Sequence, residues 1–364
     1  MPLFMDFHII DGITIEGLKE GHIADKALES KHNTRILQFW VNPEMGTVFC
    51  LMEAPNKEAC VAVHQESHGQ IACKVEEVEP GFFHLFMGEN HRVEHGIVKQ
   101  DDGSIDLGYR FIFTLEIEPL VKSSAPGMFE LKMPAKVDEL IVSNIRSTEG
   151  REVKTEGAGT YTVVFKDAML AVEAASELQR ILVEKTTHST ENDWQINFRI
   201  GMTGGQPLTK DEGFFERVLS RGKRLTFIAK NKEILMSPLV KSQAGLKEDS
   251  INSYLQMISE PSLEFLENLF NVVEKEIAND QLNVEFLSRK LGISRPQLYR
   301  KTIEATGKSP SSFIREVRMQ KALALIQTKK YNISEVSLQV GINNPSYFSK
   351  CFRERFGVPP SKVS

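Results

Sequence analysis

The stretch from residue 279 to residue 364 writes one local plan twice, fifty positions apart. In the first copy Asn283 caps a helix over 284–291, Gly292 breaks it, and Ser294 caps the next over 295–305. In the second copy the helices run over 334–340 and 346–356, with Gly341 at the turn and Asn344 or a neighbour as cap. Gly307 and Pro310 recur as Gly357 and Pro360, Leu298 as Phe348, and Arg300 as Lys350. A longer helix, 312–326, joins the copies and is apolar at Phe313, Val317, Leu323 and Ile326. Helices this short bury themselves only by packing on one another. This end of the chain is therefore expected to be an all-α block of two helix-turn-helix units.

The charge follows the same division. The formal net charge of −5 hides a terminal block with 15 basic and 6 acidic residues, or +9, behind 278 residues that sum to −14. A basic tail on an acidic chain points to a polyanion. Charge alone would also fit a membrane surface, so the motif has to decide. The block resembles the DNA-binding domain of the AraC family of transcription regulators. The matching residues are Gly307-Lys308-Ser309-Pro310, Phe313-Ile314-Arg315, Arg318, Ala322, Leu325 and Ile333-Ser334-Glu335-Val336. Gly341, Ser346 through Arg353, and Phe356-Gly357-Val358-Pro359-Pro360 continue the match. Ser337 and Ile342 depart from the family's usual Ala and Phe. The resemblance implies double-stranded DNA as partner and a recognition helix in the major groove for each unit. Candidates in the first unit are Arg295, Gln297, Tyr299, Arg300 and Lys301; in the second, Asn343, Asn344, Ser346, Tyr347, Lys350 and Arg353. Lys308 and Lys350 are expected to hold phosphates, and Leu298, Phe348 and Phe352 to be core.

The remaining residues need other folds. A chain of 364 residues, 41% hydrophobic and 26% charged, suits two or three globular domains rather than a disordered polymer. No apolar run approaches the ~20 residues of a membrane span, and the first residues show no secretory signal. Four cysteines are too few for a disulfide scaffold. A cytoplasmic protein is expected, without a membrane partner. Residues 1–88 read as strand, helix, two strands split by Asn42-Pro43-Glu44-Met45-Gly46, a helix capped by Asn56 and running to His68, and a last strand, the ferredoxin-like order. Cys60, His64 and His68 stand at i, i+4 and i+8 on that helix. His8 shares a strand face with Asp6, His22 lies three before Asp25, and Cys73 follows the second helix. Phe49-Cys50-Leu51-Met52-Glu53-Ala54-Pro55 and His64-Gln65-Glu66-Ser67-His68-Gly69 resemble a small ferredoxin-like family with nickel-binding members. A divalent transition metal is expected on His64 and His68, completed by His8, His22 or Cys73. The spacing does not separate nickel from zinc. The plainer alternative is a polar helix face, with Cys50 and Cys60 as structural thiols.

Residues 105–240 read as a second α/β unit. The run from Gly150 through Glu152 to Gly159, then Arg199-Ile200-Gly201-Met202, and Phe215 through Arg224 to Ser237, resembles class III nucleotide cyclases in order and spacing. That family holds two metal ions on two aspartates. The corresponding stretches here are Phe113-Thr114-Leu115 and Gly157-Ala158-Gly159, and the family's asparagine is Ser220, though its arginine survives as Arg224. A degenerate cyclase fold is expected, kept for dimerisation or sensing, with no catalysis and no nucleotide. Residues 241–278 read as a linker and a connecting amphipathic helix. The fold class expected is multidomain α+β: ferredoxin-like, then cyclase-like α/β, then all-α double helix-turn-helix over 279–364. The function expected is a bacterial, homodimeric transcription regulator answering a small effector or a metal. The rivals are a nucleotide cyclase or nucleotide-binding sensor coupled to DNA binding, and a metal-buffering protein.

Overall fold

Strand β1 (Leu3–Ile9) is buried on both faces, and that fixes the first third of the molecule. The structure, a computed structural model, describes residues 1–118, 120–125, 128–132, 135–153, 159–187 and 196–363. Leu3, Met5 and Phe7 point one way, into an apolar cluster with Trp40, Phe49 and Phe83. Phe4, two residues before Asp6, points the other way, toward Cys60 and Val63. Helices α1 (Ile15–Ala27), the short α2 (Glu29–His32) and α3 (Lys57–Ser67) join β1 to β2 (Arg35–Asn42), β3 (Thr47–Glu53) and β4 (Lys74–Glu77). After α4 (Pro80–Met87) come β5 (Arg92–Glu94) and β6 (Ile97–Lys99), which extend the sheet past residue 88 in the order β4-β1-β3-β2-β6-β5.

A second sheet has the order β10-β11-β7-β12-β13-β14. Its centre is β7 (Arg110–Ile117), and the hairpin β8 (Leu120–Ala125) with β9 (Met128–Lys132) forms a separate pair. Helix α5 (Ala135–Arg146) precedes β10 (Arg151–Val153) and β11 (Thr160–Phe165). Then come α6 (Ala168–Thr187), β12 (Phe198–Gly205), α7 (Glu216–Ile228), β13 (Ile234–Met236), α8 (Pro238–Gln243) and β14 (Leu255–Met257). Strand β7 is antiparallel to β11 and β12, whereas β13 and β14 run parallel to β12. The stripe Ala171, Ala174, Ala175, Leu178 and Leu182 is buried against the sheet, as its helical spacing requires. Helix α7 crosses β12 closely: a Cβ on Gly201 would meet the Thr226 nitrogen at 2.4 Å. The expected linker contributes β14 to the sheet, so its backbone is part of the fold.

Helix α9 (Glu260–Lys275), capped by Ser259, buries Leu263, Leu266, Leu269, Phe270 and Val273. They share one core with Leu225 of α7 and with Leu298 and Phe313 of the C-terminal block, so the apolar face of α9 is covered within the chain. The C-terminal block consists of α10 (Val284–Leu291), α11 (Arg295–Thr306), α12 (Pro310–Gln327), α13 (Ile333–Gln339) and α14 (Pro345–Phe356). The caps act as expected: Asn283, Ser294 and Asn344 each accept backbone N–H bonds, and Asn332 closes a capping box with Glu335. Helix α12 serves both units, with Phe313 and Val317 in the first core and Met319, Ala322 and Ile326 in the second beside Phe348 and Phe352.

Candidate metal cluster and nucleic-acid interface

Asp6 and His8 share one face of β1 by the period of two, and the register of β1 with β3 sets Cys50 opposite Asp6. Helix α3 lies over that face and lowers His64 onto it. His64 is fully buried, with Nε2 2.7 Å from Asp6 Oδ2 and Nδ1 3.2 Å from Asp25 of α1. His68 is the C-cap of α3 rather than a helical residue. Its ring still reaches His64, with Nε2 3.3 Å from His64 Nδ1 and 3.3 Å from Asp25. His8 is buried edge-on to His64 at 4.8 Å, and its Nε2 lies 3.2 Å from Asp6 Oδ1 without the angles of a hydrogen bond.

The charges are tightly coupled. Burial alone would lower the His64 pKa, but Asp6 and Asp25 outweigh it and lift it to about 10. Burial pushes Asp6 the other way, yet His64 and His8 hold it well below the usual carboxylate range. Burial and then the Asp6 carboxylate push the Cys50 thiol well up.

Two donor groups result. Asp6, His8, Cys50 and His64 offer ligand atoms within 4.8 Å of one another, and so do Asp25, His64 and His68. Imidazole, carboxylate and thiol together suit a borderline transition metal, and the buried His8 Nε2, close to Asp6 but not in hydrogen-bond geometry with it, is an atom such an ion would satisfy. Of the five ligands expected from sequence, His8, His64 and His68 come together. His22 packs on Phe39 at 5.2 Å and lines the same cavity of about 320 Å³, but it stands outside both donor groups. Cys73 is exposed before β4 and is not brought in. In its place the structure brings Asp6, Asp25 and Cys50. The Asp6–His8 alternation was the available sign for the first; the others depend on the β1–β3 register and on how α1 packs.

In the second sheet, Leu115 is fully buried core. Ala158, the other cyclase position, lies outside the described residues. Arg224 donates to Asn271 and Glu274 of α9, each at 2.7 Å, and Ser220 donates to the Arg217 carbonyl.

On the C-terminal block, Tyr299 and Arg300 of α11 are exposed, as are Ser346, Tyr347, Lys350 and Arg353 of α14. Ser346, Lys350 and Arg353 fall at i, i+4 and i+7 on one face. The other candidates are engaged. Arg295 pairs with Glu285 at 2.7 Å, Gln297 completes the cap of α11, and Lys301 lies over the Phe265 ring. Asn343 donates to Asp280, while Asn344 Oδ1 accepts from the Ser346 and Tyr347 nitrogens. Lys308 sits past the far end of α11, facing the second sheet across a cavity.

Residues 287–364 match the family model described as a helix-turn-helix domain, and residues 4–78 match that described as "Nickel responsive protein SCO4226-like". "Histidine kinase P4" of Formosa agariphila is 42% identical over 105 residues, 29% of this chain and 8% of that protein. "Msm operon regulatory protein" of Streptococcus mutans is 29% identical over 132 residues, 36% of this chain and 47% of that protein. The solved structure of SCO4226 from Streptomyces coelicolor A3(2) is 40% identical and covers 21% of this chain and 94% of that one, with a TM-score of 0.20. The chain thus spans less than half the length of these two curated relatives. Its C-terminal block is a helix-turn-helix domain, and its N-terminal block is similar to the nickel-responsive family. No helix among the described residues is long and apolar enough to cross a membrane.

Proposed function

We propose that the chain is a sequence-specific DNA-binding transcription regulator of the AraC type. The observation that carries this is the doubled unit: α11 and α14 present exposed polar and basic faces and are joined by one rigid helix. Helix α12 has 18 residues, or about 27 Å at 1.5 Å per residue. Helices held by such a strut suit successive major grooves about 34 Å apart. Tyr299, Arg300, Ser346, Tyr347, Lys350 and Arg353 are the readers and phosphate holders. Selection of bound sites from a random DNA pool tests this; enrichment of a motif with two blocks about 10 bp apart is expected, and no enrichment would overturn it.

The N-terminal block is the metal-responsive input. Its strand order β4-β1-β3-β2, with two crossing helices, supports the ferredoxin-like reading. Asp6, His8, Cys50 and His64, with Asp25 and His68 beside them, would hold nickel or zinc, which supplies a divalent charge in place of the His64 proton. Calorimetry with Ni²⁺ and Zn²⁺ tests it: uptake by the wild type and none by His64→Ala/His68→Ala is expected, and equal uptake contradicts it. The middle block is read as a degenerate cyclase fold without turnover. Leu115 is core where a metal carboxylate is needed, and Arg224 is committed to α9. Dimerisation through the blocks before residue 279 would set two bipartite sites as repeats.

A further inference from the structure

A second cavity, of about 830 Å³, lies where the second sheet meets the helix-turn-helix block. Arg199 at the start of β12, Lys230 after α7, Ser262 of α9 and the end of α11 through Lys308 enclose it. It touches one recognition helix directly and reaches the other through an ion pair. Ile303 and Thr306 belong to α11. Glu118, also in the lining, accepts a bond from Arg355 of α14 at 3.1 Å, and Arg355 holds Glu316 of α12 at 2.6 Å.

The lining carries three basic side chains, Arg199, Lys230 and Lys308, against three acidic ones, Glu118, Glu233 and Glu304, so its charges balance in number but not in pairing. Arg199 Nη2 lies 3.2 Å from Glu116 and 3.4 Å from Glu118, but its buried Nε has no partner among the described residues. Glu233 is turned to the Lys230 backbone N–H. Lys230 and Lys308 form no ion pair among the described residues, and against them stands the exposed Glu304. Phe227, Leu235, Met257, Ile258 and Ile303 supply apolar wall. A cleft of this size at a domain junction, with an apolar wall on one part and convergent charges on another, suits a small molecule that is itself part apolar and part charged.

We propose that this cleft binds a small organic anion, a carboxylate or phosphate on an apolar body, and that both recognition helices sense its occupancy. The anion sits between Lys230, Lys308 and the Arg199 Nε. Drawing Arg199 toward itself, it leaves Glu118 to Arg355, which changes how α14 is held against the second sheet. The regulatory half rests on the DNA-binding reading above.

The test titrates the full chain with anilinonaphthalene sulfonate, an anionic aromatic dye that brightens in apolar surroundings. One saturable site per chain is expected, weakened about tenfold or more in Lys230→Glu/Lys308→Glu and restored in Lys230→Arg/Lys308→Arg. Lys230 is exposed and Lys308 half-buried, so an unchanged melting transition checks the fold of each variant. Naphthoate and naphthyl phosphate then compete, and the stronger competitor separates carboxylate from phosphate. No saturable site, equal dye affinity in the charge-reversed variant, or displacement by neither competitor overturns the site. The winning competitor should shift the affinity for enriched DNA about fivefold or more in the wild type but not in the charge-reversed chain. Unshifted DNA binding overturns the regulatory half. Absence of any DNA binding instead overturns the regulator reading and leaves the dye result standing.

Discussion

Asp6 and His64 are 0% and 1% exposed, whereas Arg300, Lys350 and Arg353 stand in solvent. The two candidate sites therefore burden the fold differently. Taking a charge out of water costs several kcal/mol per ion, recovered only by close partners. The N-terminal cluster meets that cost with a His64 held between two carboxylates, so its residues support the fold as well as any ligand. The helix faces ask nothing of the fold, because their side chains were never desolvated. Damage at the first site should appear as lost stability, and damage at the second as lost DNA affinity.

The sharpest way to break this contrast is Asp6→Ala, which strands a buried imidazolium. It should cost about 3–5 kcal/mol in denaturant unfolding of the metal-free chain; a loss below about 1 kcal/mol would show that water reaches the site. Replacing Arg300 or Lys350 with alanine comes next. Each should cost about 1–3 kcal/mol of DNA affinity where it contacts a base, with stability moved by no more than about 0.5 kcal/mol. A variant that lost both together would erase the distinction.

The pH profile separates the regions again. His64 has a folded pKa of about 10, above its ordinary value near 6.5. Its contribution to stability is complete below about pH 6.5 and is lost as pH rises toward 10. Asp6 and Asp25 run the other way: their contribution holds above about pH 4 and is lost in stronger acid. Unfolding of the metal-free chain from pH 6.5 to 10 should show the decline, and His64→Gln should flatten it. Metal uptake near neutral pH should release the His64 proton. The smallest effect belongs to Asn344, whose Oδ1 is spent on the α14 cap. Asn344→Ser keeps a cap, so stability and DNA affinity should each stay within about 0.5 kcal/mol of wild type; a larger loss of affinity would make Asn344 a base reader.

The same contrast explains what the amino-acid sequence reveals. Caps, glycine turns and apolar spacings are short-range, so the five C-terminal helices are legible nearly to their ends. Even there, Arg295, Lys301 and Lys308 look free until Glu285, Phe265 and the second sheet are placed beside them. The metal cluster is assembled from β1, β3, α1 and α3. Helical spacing delivers His64 and His68, but only the β1–β3 register puts Cys50 opposite Asp6, and only the packing of α1 brings Asp25 to His64 while turning His22 onto Phe39. Nor does a linear reading foresee that β14 extends the second sheet or that α9 spends its apolar face inside the chain.

On the proposed function, one chain reads DNA through two units held on α12. Hydroxyl-radical footprinting of the full chain on its enriched site tests this most directly. Two protected blocks about 10 bp apart are expected, with Lys350→Ala/Arg353→Ala erasing one and leaving the other. A single protected block, or loss of both blocks in that variant, would contradict it.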